Sequence, residues 1–206
     1  MQTANEYEKQ WWKAGKCSIV GIDEAGRGPI AGPLVVAAVV FPKDYQHPEI
    51  YDSKKLSEKK RKKLFKEIIQ DAIEYHIAIV EASIVDELNI YRATQKTMQD
   101  LVDACSMKDG VLTDAMPLPN CRLDVIALVK GDQKSVSIAA ASILAKVTRD
   151  CIMQAYDVLY PQYGFAQHKG YPTKAHISAL HTYGVLDIYR KSYRPVAEMN
   201  QLQLDI

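Results

Sequence analysis

The chain has 206 residues, of which 48% are hydrophobic and 25% charged; that is enough for one sizeable core and excludes wholesale disorder. Lys and Arg number 26 against 25 Asp and Glu, a formal charge of +1, so a surface for a polyanion has to be a local basic patch and not the whole molecule. The first 16 residues lack the apolar stretch of a signal peptide, and no apolar run reaches the ~18 residues of a membrane span, so a cytoplasmic protein is expected.

In chain order, Cys17 to Asp23 reads as a strand, and Leu34 to Phe41, apolar throughout, as a second strand covered on both faces. Ser57 is placed to cap a helix on which Leu64, Phe65, Ile68, Ile69, Ala72 and Ile73 recur at helical spacing, with Lys and Arg on the opposite face. Ile77 to Glu81 reads as a third strand. Asp86 is a candidate cap for a helix carrying Leu88, Tyr91, Met98, Leu101 and Val102. Val111 to Asp114 and Val125 to Val129 are two short strands. The spacing then predicts a long helix from about Val136 to Leu159, capped by Ser135 or Ser137 and ended by Pro161. A last helix is predicted from a Thr173 cap to Gly184. The order suits an α/β layer on one mixed sheet, and the lack of strict β-α alternation argues against a doubly wound parallel sheet.

Three of these strands end in acid: Asp23 and Glu24 close the first, Asp114 the fourth, and Asp132 follows the fifth in Lys130-Gly131-Asp132. Carboxylates gathered at one sheet edge repel one another and tolerate that with a cation between them. An all-oxygen donor set suits Mg²⁺ or Mn²⁺ and phosphoryl chemistry, and the four cysteines show no zinc spacing. Taken singly, each acid also reads as a solvated strand-end residue. Adjacent Asp23 and Glu24 point to opposite faces of a regular strand, so both serve one site only if Glu24 already lies in a turn or its longer side chain reaches around.

Gly26-Arg27-Gly28-Pro29 follows the first strand. A dinucleotide-binding loop would lead into a helix, whereas this one contains Pro29 and continues as a strand, so NAD is disfavoured. Two glycines allow close backbone approach to a ligand, and Arg27 suits a phosphate or a neighbouring carboxylate; a plain strand connection is the alternative. The cluster Lys54, Lys55, Lys59, Lys60, Arg61, Lys62, Lys63 and Lys66 reads equally as a phosphate-binding patch and as a solvated helix face. Lys169 and Tyr171 lie in a loop where they suit phosphate contact and stacking, or a turn with a packed tyrosine. Ser142, Lys146 and Asp150 share a polar stripe on the long helix, and Asp150 reads as a surface ion-pair partner.

Together these segments resemble the type 2 ribonuclease H family, bacterial ribonuclease HII in particular. The resemblance is carried by Asp23-Glu24-Ala25-Gly26-Arg27-Gly28-Pro29, by Asp52-Ser53-Lys54-Lys55-Leu56-Ser57, by Lys130-Gly131-Asp132 with Ser137 to Asp150, and by Tyr163-Gly164-Phe165 with His168 to Tyr171. It runs in order from about Ile19 to Val196. It implies a ribonuclease H-like fold, a five-stranded mixed sheet flanked by helices, with a short C-terminal helical extension. One domain over 1–206 is expected, with a core at about 17–160 and a helical segment at about 161–206. It implies catalytic and metal-holding roles for Asp23, Glu24, Asp114 and Asp132 with Mg²⁺ or Mn²⁺. It implies reading of the ribose 2′-hydroxyl by Gly26, Arg27 and Gly28, and sensing of the RNA–DNA junction by Tyr171. The implied monomer hydrolyses RNA–DNA hybrids 5′ of a ribonucleotide, leaving 3′-hydroxyl and 5′-phosphate ends, and serves primer removal and ribonucleotide excision. The sequence departs from the family pattern at Ala115, where glycine is usual, and at Tyr189-Arg190 and Ser192-Tyr193. Two alternatives stand beside this: a non-catalytic hybrid-binding module of the same fold, and a nucleotide-dependent enzyme using the glycine loop.

Overall fold

The structure, a computed structural model, describes residues 5–204. Strands β1 (Ile19–Ala25), β2 (Leu34–Val40), β3 (Glu74–Val80), β4 (Gly110–Asp114) and β5 (Val125–Leu128) form one sheet in the order β3-β2-β1-β4-β5. β1 runs antiparallel to β2 and parallel to β4, and β4 is parallel to β5, so the sheet is mixed as expected. All seven residues of β2 are buried, which accounts for its unbroken Val and Ala run. The α-helices among the described residues are α1 (Glu6–Lys13), α2 (Glu58–Asp71), α3 (Ala82–Leu88), α4 (Ile90–Ala104), α5 (Val136–Leu159), α6 (Phe165–His168), α7 (Lys174–Tyr183) and α8 (Arg194–Leu204).

The chain divides into two compact units, Met1–Ala25 with Val35–Ala78 and Thr94–Val147, and Gly26–Leu34 with Ile79–Ala93 and Thr148–Ile206. In the first, α5 starts against the middle of β1. A Cβ on Gly21 would stand 2.2 Å from the Ser137 backbone, so only glycine permits that approach. Ser135 Oγ caps the helix, accepting from Ile138 N at 3.1 Å. Sequence reading assigned no element to the N-terminus, yet α1 is part of this core: Trp12 packs with Ile19, Leu112, Leu128 and Ile138. Glu8 is fully buried and accepts from Ser135 Oγ (2.5 Å) and Ser137 N (3.2 Å) at the start of α5. Burial pushes the pKa of Glu8 above its usual range.

On α2 the Ser57 cap is confirmed, its Oγ accepting from Lys60 N, and Leu64 and Ile68 are its buried residues. The lysine-rich face is exposed and partly neutralised: Lys60 and Lys63 reach Glu49 at 2.9 and 3.1 Å, and Lys62 reaches Glu58 at 2.7 Å. The single helix expected after Asp86 is two helices. Asn89, at φ 59°, breaks the chain and caps α4 through Arg92 N, while Asp86 lies inside α3.

The second unit has its own core of Ile30, Ala31, Met153, Tyr163, Phe165, Leu180, Tyr189 and Val196. The Asp86 carboxylate accepts from Lys191 N and Ser192 N, fastening the turn before α8. Buried His176 is bonded at Nδ1 to Tyr171 O and at Nε2 to Tyr189 OH, both 2.8 Å, and stacks on His168 at 4.0 Å. Burial lowers its pKa to about 4. Thr173 caps α7, which ends at Gly184 as expected, but α8 follows it.

Candidate active site

Parallel pairing of β1 with β4 delivers two acids to the same sheet edge. The register runs Ile22↔Thr113, so the next residues along the two strands are Asp23 and Asp114. Asp23 is buried and accepts from Glu24 N at 2.7 Å. Its pKa is raised well above the usual carboxylate range by burial, then by the charges of Glu24 and Asp114, while the Ser142 hydroxyl on α5 hydrogen-bonds it and pulls the other way. Glu24 is still strand, paired to Val36, so of the two ways for it to share the site with Asp23 the turn is excluded and the reach of its longer side chain is left.

Asp114 accepts from Gly131 N at 2.8 Å, which ties the end of β4 to the one-turn helix Gly131–Gln133. That turn carries Asp132, 4% exposed. Burial, then Asp52, with which it shares a hydrogen bond, and Asp114 raise its pKa to about 6. The four predicted acids thus lie in one electrostatic neighbourhood: Asp23 feels Glu24 and Asp114, and Asp132 feels Asp114.

Asp52 was not among the predicted site residues. It is buried, accepts from Lys54 N (3.0 Å) and Gln133 Nε2 (3.3 Å), and faces Asp132. The next residue, Ser53, is buried with its Oγ 2.9 Å from that of Ser142, so Asp52-Ser53 supports both ends of the acid cluster. In sequence this segment looks like a loop leading into a basic helix, and nothing local marks its burial.

In the second unit, the Gly26–Gly28 loop is held from behind by two buried arginines. Arg190 donates to Gly26 O (2.6 Å), Arg27 O (3.0 Å) and Gly32 O (3.1 Å). Arg149 donates to Pro33 O (2.9 Å), Ala31 O (3.1 Å) and Lys169 O (2.9 Å). Burial, then Arg190, lowers the Arg149 pKa to about 10. Gly26 sits at φ 102°, and a Cβ there would meet Arg149 Nε at 2.3 Å, so the loop accepts no side chain at this position. Arg27 and Gly28 are exposed, and a Cβ on Gly28 would lie 3.5 Å from the ring of exposed Tyr171. The Lys169 ammonium donates to Ala166 O at 2.7 Å. Asp150 and Ser142 on α5 are buried, so the polar stripe is not the solvated face expected of it.

A mixed five-stranded sheet with acids at the ends of its central strands is a ribonuclease H-like architecture, and solved structures agree. Ribonuclease H2 of Pyrococcus horikoshii superposes with a TM-score of 0.80 over 92% of this chain and all of that one, at 24% identity. The RNase HII chain of a PCNA complex from Archaeoglobus fulgidus gives 0.74 over 86% of this chain and 95% of that one, at 26% identity. Bst-RNase HIII, solved with Mn²⁺, gives 0.65 over 93% and 71%, at 18% identity. Within that class, the family model described as Ribonuclease HII matches residues 20–196. Ribonuclease HII of Caldanaerobacter subterraneus is 51% identical over 91% of this chain and 78% of its own length, and that of Lactobacillus acidophilus 48% identical over 93% and 76%. The chain belongs to the ribonuclease HII family.

Proposed function

We propose that the chain is an endoribonuclease that hydrolyses the RNA strand of RNA–DNA hybrids and incises 5′ of ribonucleotides embedded in duplex DNA, leaving 3′-hydroxyl and 5′-phosphate ends. Asp23, Glu24, Asp114 and Asp132 are its catalytic acids. The observation that supports this most directly is a buried Asp23 whose charge is opposed by Glu24 and Asp114.

Such a cluster is unfavourable without a cation, and its donors are all carboxylate oxygens, so it fits a hard divalent ion. The four acids would hold Mg²⁺ or Mn²⁺, which supplies Lewis acidity for attack by water and neutralises charge on the leaving 3′-oxygen. Backbone groups do the positioning: Glu24 N orients Asp23, and Gly131 N orients Asp114. Gly26, Arg27 and Gly28 read the ribose 2′-hydroxyl, and Tyr171 and Lys169 meet the nucleic acid beside it. The arginine-held backbone of this loop supports that role because a fixed amide array discriminates a hydroxyl better than a mobile one. All the proposed groups come from one chain, consistent with a monomer. No helix among the described residues is long and apolar enough to cross a membrane. A substrate of chromosomal hybrids and the bacterial relatives support a place in the cytoplasm.

NAD binding is disfavoured because the glycine loop leads into strand β2 and not into a helix. A purely binding role is disfavoured by the retention of all four acids. The test is Asp23→Asn, which removes charge and keeps shape. Nicking of a duplex carrying one ribonucleotide falls by at least about a thousandfold in Mg²⁺ and in Mn²⁺ while hybrid binding persists. Cutting by this variant at the wild-type rate would overturn the assignment.

A further inference from the structure

The edge strand of the sheet carries a second cluster of ligating groups, of different chemistry. Glu74 and His76 are alternate residues of β3 and therefore point to the same face. Cys105, the residue after α4, is brought to them from 31 positions away in sequence. One ligand atom from each of the three lies within 4.8 Å of the other two. β2 and β1 separate β3 from β4 in the sheet order, so this cluster stands away from the acids at the ends of β1 and β4.

Hydrogen bonds already hold all three, Glu74 and Cys105 through the backbone and His76 through Glu74. The Glu74 carboxylate accepts from Ser106 N through both oxygens at 2.9 Å and from Met107 N at 3.1 Å, which locks the strand to the turn after Cys105. Cys105 N donates to Leu101 O and Val102 O, holding the thiol at the helix end. His76 Nε2 lies 2.8 Å from Glu74 Oε1. The His76 and Glu74 side chains are 32% and 16% exposed, so an ion reaches the cluster from solvent.

We propose that Glu74, His76 and Cys105 form a Zn²⁺ site that fastens the edge strand β3 to the end of α4. One sulfur, one imidazole nitrogen and one carboxylate oxygen make a borderline-soft donor set that prefers zinc, and Mg²⁺ and Mn²⁺ are disfavoured there. Zinc bonds of about 2.0–2.3 Å put ligand atoms roughly 3.3–3.7 Å apart, so closure requires movement of only about an ångström. The fourth position goes to water, which enters on the partly exposed His76 side. On binding, the Cys105 S–H bond is replaced by a sulfur–zinc bond and the proton leaves to solvent.

The test is Co²⁺ titration of EDTA-stripped full-length protein in excess Mg²⁺, which keeps the all-oxygen site filled. A thiolate-to-cobalt charge-transfer band is expected in the near ultraviolet, bleached by one equivalent of Zn²⁺. Cys105→Ser removes the band, whereas Cys17→Ser and Cys151→Ser, at exposed thiols, retain it. His76→Ala, a change at a half-exposed position that leaves the fold intact, weakens zinc binding by at least about tenfold and removes the rise in unfolding midpoint that zinc gives the wild type. A band that survives Cys105→Ser, zinc affinity unchanged in His76→Ala, or no cobalt signal at all would overturn the proposal.

Discussion

Ala115 shows how one residue carries a local conflict. It follows Asp114 at the end of β4 with φ 56°, and its amide donates to Leu128 O at 3.0 Å. The family pattern that the sequence resembles often has glycine at this position, the residue that a left-handed backbone favours. A Cβ there costs about 1–2 kcal/mol, partly offset by the greater freedom glycine has when unfolded. Ala115→Gly is therefore expected to raise stability by about 0.5–1 kcal/mol in urea unfolding, with hybrid cleavage kept. Asp132 gives the opposite kind of residue effect. Its folded pKa of about 6 lies above the ordinary 3.8. Between those values the native chain holds a proton that the unfolded chain has lost, so in metal-free protein this group's contribution falls as pH rises from about 4 to 6. Asp132→Asn should stabilise the metal-free protein at pH 7 by about 1–3 kcal/mol, measured by thermal or urea unfolding, while abolishing cleavage. An unchanged or lower midpoint would show that the carboxylate is not under strain from its neighbours.

At the scale of elements, the loop between β1 and β2 depends on Arg190, a fully buried cation bonded to three carbonyls. Arg190→Met leaves those carbonyls without their donor and is expected to cost about 2–4 kcal/mol. Hydrogen exchange should speed up across residues 26–32, and wild-type protection there would contradict this account. The α7 segment depends on neutral His176. Its folded pKa of about 4 lies below 6.5, so the unfolded chain binds more protons in that interval. Its contribution is present above about pH 6.5 and is lost as pH falls towards 4. The stability advantage of wild type over His176→Gln should shrink across that window, and a pH-independent difference would refute it. The elements themselves were unevenly legible. α5 was read at its observed bounds because its apolar spacing, Ser135 cap and Pro161 stop agree. α1 was missed because its fixing contacts, Glu8 on Ser135 and Trp12 on the sheet, are all distant in sequence. The break at Asn89 was missed because apolar spacing continues across it, and only its positive φ divides α3 from α4.

For the whole molecule, the mixed sheet was legible because strand-like runs end in acids and do not alternate strictly with helices. Its strand order was not, since pairing β1 between β2 and β4 is decided by long-range packing. The candidate site divides the same way. Asp23 and Asp114 announce themselves at strand ends, whereas Asp52, Ser53 and Arg190 draw their importance from burial that no local pattern encodes. The Glu74, His76 and Cys105 cluster was invisible for the same reason, being assembled from a strand and a distant helix end. The central claim is that the clustered carboxylates need a divalent ion and use it to cut beside a ribonucleotide. The most direct test is cleavage of an end-labelled DNA duplex containing a single ribonucleotide, by wild type and by Asp114→Asn, in Mg²⁺, in Mn²⁺ and in EDTA. The account predicts one nick 5′ of the ribonucleotide with either metal, none in EDTA, none on all-DNA duplex, and loss of at least about a thousandfold in the variant. Cutting that continues in EDTA, or at the wild-type rate without the Asp114 carboxylate, would contradict it.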